Sequence, residues 1–167
     1  MRRRASPSGP ARGLALLAVL LLVAVLATAT LSVTQVWSLQ AQRERELELL
    51  AVGAEMRAAL QSYLRNTPNG PGQLPTSLDD LLLDKRYPQP MRHLRRIYPD
   101  PFTGQPDWVL VRVGAGIVGL HSRANEVPRK RSGFAPRDAG FATARWVSDW
   151  RFMAEVPAGA AASAPAR

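Results

Sequence analysis

Cysteine is absent from the 167 residues, which excludes a disulfide framework, a thiolate zinc site, an iron–sulfur cluster and a cysteine nucleophile. Histidine is scarce as well: His93 and His121 are the only two. Arg92, Arg95 and Arg96 surround His93 and repel a cation, and neither histidine has acidic neighbours at ligand spacing. Surface or sheet-edge positions are expected for both. Ser122 follows His121, but adjacent strand residues point to opposite faces, so the pair does not make a nucleophile and base. A Gly-Lys-Ser/Thr phosphate loop, a Gly-x-Ser-x-Gly elbow and a His-Glu-x-x-His helix are all missing. No catalytic or cofactor-binding residue is expected, and the chain is not expected to be an enzyme.

Acidic residues are outnumbered, 13 against 22 basic ones, for a net charge of +9. Charge of either sign is missing altogether from residues 14–42, a run of 29. Its first part, 14–33, holds eight Leu, four Val, five Ala and three small hydroxyl residues, which is enough to cross about 30 Å of hydrocarbon as a helix. At about −0.3 to −0.6 kcal/mol for each Leu or Val near the bilayer centre, the apolar side chains favour insertion by roughly 4 to 7 kcal/mol at most. Arg2, Arg3, Arg4 and Arg12 precede the run without an acidic residue, so the short amino-terminal end is expected in the cytoplasm and everything beyond residue 34 on the other side. In a bacterium that is a single-pass inner-membrane protein with a periplasmic head.

The run does not end in a turn. Residues 35–64 contain no proline and are rich in Ala, Leu, Glu, Arg and Gln, so the helix is predicted to continue. Leu49, Val52, Met56, Leu60 and Tyr63 recur at helical spacing, widened by Leu47, Leu50 and Ala54, while Glu44, Glu48, Glu55, Arg57 and Arg65 fall on other faces. As one helix, 14–65 would be roughly 78 Å long. Asn66-Thr67-Pro68-Asn69-Gly70-Pro71-Gly72 then breaks it. A short helix follows, with Thr76 or Ser77 as its cap, Asp79 and Asp80 in its first turn, and Leu78, Leu81 and Leu82 on its buried side. Strands are predicted over 108–113, 117–121 and 146–153, with Gly114-Ala115-Gly116 as a hairpin loop. Nine of the eleven aromatic residues lie between Tyr87 and Phe152, which places a small core in this half.

The predicted organisation is therefore a basic leader (1–13), a transmembrane part of a long helix (14–34), its periplasmic amphipathic continuation (35–65), a head of loops and small antiparallel sheet (66–156) and a disordered tail (157–167). The fold class is α+β: a long amino-terminal helix packed on a small antiparallel sheet.

A basic leader ending in Gly13, an apolar segment that runs into an amphipathic helix, and then a small sheet: this order resembles the type IV pilin and type II secretion pseudopilin superfamily. Leu74-Pro75-Thr76-Ser77-Leu78-Asp79-Asp80-Leu81-Leu82 is similar to the segment after the long helix of the major pseudopilin, and Asp100-Pro101-Phe102-Thr103-Gly104-Gln105-Pro106 to the turn that opens its sheet. The resemblance covers residues 13–150. It implies a structural subunit of a type II secretion or type IV pilus apparatus, held in the inner membrane and assembled into a short periplasmic filament. It also implies cleavage and methylation by a prepilin peptidase at Gly13 and Leu14, with other pseudopilins and an inner-membrane platform as partners. Two departures stand out. Family members commonly carry a carboxylate at the fifth mature position, where this chain has Ala18. The family's calcium loop corresponds to residues 122–133, which hold one acid, Glu126, against Arg123, Arg129, Lys130 and Arg131, so calcium is expected to be absent. This basic loop is expected to pair with Asp138, Asp149 or a neighbouring subunit.

Three alternatives remain open from the residues. The chain can be an uncleaved, membrane-anchored periplasmic binding or adaptor module. Ala27-Thr28-Ala29 fits the small-x-small rule for removal of a secretory signal. Arg92, Arg95, Arg96, Arg129, Lys130 and Arg131, interleaved with Tyr98, Phe102 and Phe134, are candidate partner or anion contacts. Duplex DNA, as for an uptake pilin, is the less expected ligand, and anionic lipid headgroups or acidic partner subunits are the blander ones.

Overall fold

The computed structural model describes residues 10–68, 70 and 72–156, and for residues 10–12 and 26–37 the backbone alone. Most of the expected leader and all of the expected tail, 157–167, lie outside the described residues. Helix α1 spans Pro10–Arg65, so it starts at Pro10 rather than Leu14. Proline's fixed φ and missing N–H suit a first helical turn. The chain divides into two compact units, Met1–Gln42 and Arg43–Arg167, which α1 passes through.

In the first unit, every large aliphatic side chain described between Leu14 and Val25 is exposed, from 56% at Val23 to 71% at Leu14. Among the described residues no helix is long and apolar enough to cross a membrane. The expected span over 14–34 continues into residues 26–34, whose side chains lie outside the described set.

The second unit is α+β, with a three-stranded antiparallel sheet of β1 (Val109–Val113), β2 (Gly116–His121) and β3 (Phe152–Met153) in that order. From α1 it takes a buried stripe in which Leu49, Met56 and Leu60 are fully buried and Tyr63 and Leu64 nearly so. Two positions depart from the expected faces. Leu47 is 58% exposed, and Arg57, expected outside, is 9% exposed because it meets a buried carboxylate. At the helix end Asn66 donates its backbone N–H to the Ser62 carbonyl at 3.0 Å, and Arg86 donates to the Tyr63 carbonyl at 2.8 Å. Carbonyls without intrahelical partners are thus satisfied by a turn and a cation, as a helix C-terminus requires.

Helix α2, Asp79–Leu82, buries Leu81, with Leu78 and Leu82 packed beside the core. The expected Ser77 cap forms: its hydroxyl accepts from the Asp79 N–H at 3.2 Å, while the Asp80 carboxylate reaches back to accept from the backbone N–H groups of Thr76 and Ser77, at 2.9 and 3.0 Å. β1 (Val109–Val113) and β2 (Gly116–His121) form the expected hairpin, pairing Leu110 with Leu120 and Val111 with Gly119, then Arg112 with Ile117 across a bulge that skips Val118. The third strand is much shorter than 146–153: β3 is only Phe152–Met153, because Val147–Asp149 coils into a 3-10 turn. Asp149 closes that turn by accepting from the N–H groups of Arg145 and Trp146, at 3.0 and 2.8 Å. A second 3-10 segment, Pro136–Thr143, carries Phe141 into the core against Trp150. The sheet meets α1 where the Phe152 ring lies over Gly53: a Cβ at that position would stand 2.4 Å from the ring carbons.

The Asp-Pro-Phe-Thr-Gly sequence is a tight turn closed by Gly104 N–H to the Asp100 carbonyl, 2.7 Å, with Gly104 at φ 71° where a side chain would strain. The Asp100 side chain is fully buried and accepts from the Phe102 N–H (2.9 Å) and the Ser122 hydroxyl (2.6 Å). This ties the turn to the end of β2.

Candidate functional site

Gly13 and Leu14, the expected processing pair, both lie in α1; Leu14 is exposed, and nothing stands within 4 Å of where a Gly13 Cβ would be.

Arg92, Arg95 and Arg96 are exposed, and the residues between two of them explain why. His93 and Leu94 are drawn inward, both backbone N–H groups donating to the Leu81 carbonyl at 2.9 Å. The His93 side chain, expected on the surface, is instead fully enclosed. It bonds the Ser62 hydroxyl at 2.9 Å and Asp84 at 3.2 Å and stands edge-on to Tyr63. Asp84 also accepts from Arg86 at 2.9 and 2.7 Å. The Arg86 hydrogen bonds, joined by that from His93, hold its carboxyl down at about 2 despite burial. Arg86 in turn lies 3.5 Å over the Tyr63 ring. This cluster fastens the loop after α2 to the end of α1.

The second basic stretch is organised by a residue with no expected role. Glu46 is 1% exposed, and its two oxygens accept the backbone N–H groups of Arg129 (2.7 Å) and Lys130 (2.9 Å). Arg131 donates to the Ala144 carbonyl at 2.6 Å. The expected pairing of this loop with Asp138 or Asp149 does not occur: Asp138 is taken by Arg57 at 2.6 Å, and Asp149 by its own turn. Arg43, Leu47, Arg129, Lys130 and Arg131 line, with Glu46, an open groove of about 310 Å³.

The two basic stretches do not merge. The first leads to Tyr98, whose hydroxyl donates to Glu55 at 2.7 Å, whereas the second is anchored on Glu46. Nine helical residues place those two glutamates about half a turn apart around α1. Each aromatic residue expected to interleave with the cations lies under a cation, two of them under members of the basic stretches and Phe102 under Arg45 of α1: Arg96 lies 5.0 Å from the Tyr98 ring, Arg45 5.5 Å from Phe102, and Lys130 5.1 Å from Phe134.

Among the described residues no group of three or more His, Asp or Glu is placed to hold a metal ion. In the loop that resembles the calcium segment, Glu126 pairs with Arg45 at 3.7 Å. His121 bonds the Ser122 carbonyl through its ring, while the Ser122 hydroxyl turns to Asp100, so the two side chains serve different partners. Comparison with protein-family profiles, curated proteins and solved structures finds no match to this chain.

Proposed function

We propose that this chain is a pilin-like structural subunit: a stem that is held in a membrane and then packs with the stems of sister subunits, carrying a small α+β head into a filament. The observation that carries the reading is the contrast along α1. Leu16, Leu20 and Val25 are 57–64% exposed, while Leu49, Met56 and Leu60 of the same helix are fully buried in the head. Large aliphatic side chains gain roughly 1.5–3 kcal/mol each on leaving water. The exposed series therefore calls for a lipid or protein cover, and both environments leave helical backbone bonds intact.

The arrangement of a bulge-bearing hairpin, a turn pinned by the buried Asp100 and a helix-packed sheet is in keeping with a head that makes lateral contacts. A role in type II secretion or in a pilus, with prepilin peptidase and platform as partners, rests on the resemblance of the Leu74–Leu82 and Asp100–Pro106 words. Mass spectrometry of the membrane-bound form tests it. An amino terminus at N-methyl-Leu14 is the expected result. An intact Met1 in an apparatus-bearing host would overturn processing and leave the second reading, an uncleaved anchored module, which Ala18 in the place of the usual carboxylate favours.

A further inference from the structure

Acidic side chains are absent from residues 85–99, which carry Lys85, Arg86, Arg92, Arg95 and Arg96. Arg86 is spent on the buried Asp84, and Arg96 lies over the Tyr98 ring. Lys85, Arg92 and Arg95 are exposed and make no ion pair or hydrogen bond among the described residues. The backbone that carries them is fixed. Asp84 donates its N–H to the Met91 carbonyl at 2.8 Å, so Lys85 and Arg92 flank one antiparallel bridge, and His93 and Leu94 are both tied to the Leu81 carbonyl. Cations on a backbone held in this way lose less freedom on meeting a partner.

The head has little of its own to set against them. All 13 acidic residues lie beyond Arg43, and most are consumed within the chain. Asp84 and Asp138 pair with Arg86 and Arg57, Asp100 accepts from Ser122, Asp80 and Asp149 accept from turn N–H groups, and Glu46 holds the 129–130 backbone. Glu48 and Glu155 are exposed with no side-chain partner among the described residues, and they stand apart. Glu155 is clipped through its backbone to Gln61, which lies about 20 Å along α1 from Glu48. Two heads of this chain brought together on the basic stretch therefore set cation against cation.

The chemistry of the stretch also selects among acidic partners. A guanidinium binds a carboxylate through two parallel hydrogen bonds, and arginine is enriched where proteins meet. Duplex nucleic acid is read by a helix or a two-stranded ribbon in its groove, and residues 85–99 hold neither. A membrane surface is met by cations together with exposed apolar side chains, and none of the exposed large hydrophobic residues falls within 85–99.

We infer that Lys85, Arg92 and Arg95 dock the head on an acidic surface of a different protein chain, not on a second copy of this one. The inference rests on the lateral contacts of the proposed function and names the chemistry of the neighbour. An exposed ion pair strengthens association by a factor of about 1.5 to 5. Reversing a cation exchanges attraction for repulsion, so reversing two is expected to cost about tenfold.

Binding of a fluorescent oligoglutamate to the full chain in neutral detergent, at physiological ionic strength, tests the stretch. Arg92→Glu/Arg95→Glu is expected to weaken it about tenfold. Arg137→Glu/Arg151→Glu makes the same change of charge at exposed positions elsewhere on the head and is expected to weaken it less than about twofold. Equal losses in the two variants overturn the docking stretch. A tenfold loss seen with a duplex oligonucleotide, or with phosphatidylglycerol doped into the micelles, but not with oligoglutamate overturns it in favour of nucleic acid or lipid. In host membranes, carbodiimide is expected to link Lys85 to an Asp or Glu of another protein, and a link to a second copy overturns the choice of partner. Carbonate-resistant integration of the stem is scored in parallel. Integration with equal losses overturns the docking and spares the subunit reading, whereas failure to integrate overturns both.

Discussion

Asp138→Ala is the sharpest perturbation of the head. Arg57 donates to both oxygens of Asp138, at 2.6 and 3.2 Å, and the two side chains are each 10% exposed. They lie 81 positions apart in sequence, so the pair pins the 3-10 segment Pro136–Thr143 to α1. Removing one member of a buried pair costs about 3–5 kcal/mol, because the remaining charge keeps its desolvation penalty without its partner. Arg57 is poorly placed to find another, since its Nε has no acceptor among the described residues and its guanidinium faces the Phe152 ring at 5.8 Å. It does border an open cavity of about 220 Å³, where water can reach the freed Nη groups, which favours the lower end, about 3 kcal/mol. At about 3–6 °C per kcal/mol for a domain of this size, thermal unfolding of the detergent-solubilised full chain, followed by circular dichroism, should fall by roughly 10 °C or more. The double variant Arg57→Met/Asp138→Leu removes both charges and should return to within about 1 kcal/mol of the parent. A cost below about 1 kcal/mol for Asp138→Ala, or a double variant no better than the single one, would refute the reasoning.

Three further outcomes are expected. Asp84 has its carboxyl held at about 2, below the ordinary 3.8, so its contribution is complete above pH 4 and is lost as pH falls through 2. In urea titrations the gap between the parent and Asp84→Asn should shrink from about 2 kcal/mol at pH 7 toward zero at pH 2. Gly53→Ala would gain about 0.5–1 kcal/mol in an open helix, but here the new Cβ meets the fully buried Phe152 ring at 2.4 Å. The net effect should be a loss of about 1–3 kcal/mol, and a stabilised variant would show that the helix and β3 are not packed this way. Ser122→Ala strips a hydroxyl donor from the buried Asp100 carboxylate and should cost about 1–3 kcal/mol, whereas Ser132→Ala on the surface should cost almost nothing in the same assay.

Much of the fold was legible because it is written in local pattern. The helix ends where Asn66-Thr67-Pro68 interrupts it, the hairpin turns at Gly114-Ala115, and Leu49, Met56 and Leu60 repeat at the period of a buried stripe. Pattern alone extends the third strand back to Trp146, because a 3-10 turn held by Asp149 has the same apolar content as a strand and only its hydrogen bonds tell them apart. The site was less legible because its anchors are long-range pairs: Glu46 with 129–130, Arg57 with Asp138, His93 with Asp84 and Ser62. A signal existed for the first. Glu46 lies three residues before Leu49, on the edge of the apolar stripe, where a carboxylate is stable only if the fold supplies donors. His93 carried no such sign, since its flanking arginines made it look exposed while the Leu81 carbonyl pulled its backbone inward.

The central claim is that one helix serves two solvents, its early turns covered by lipid or sister helices and its later turns by the head. Single cysteines placed in turn at Leu17, Leu21, Arg43 and Leu60, each unique in this cysteine-free chain, can carry a spin label whose collisions with oxygen and with a polar nickel complex are compared in membranes. Leu17 and Leu21 should favour oxygen, Arg43 the nickel complex, and Leu60 neither. Nickel access at Leu17 and Leu21 equal to that at Arg43 would contradict the account.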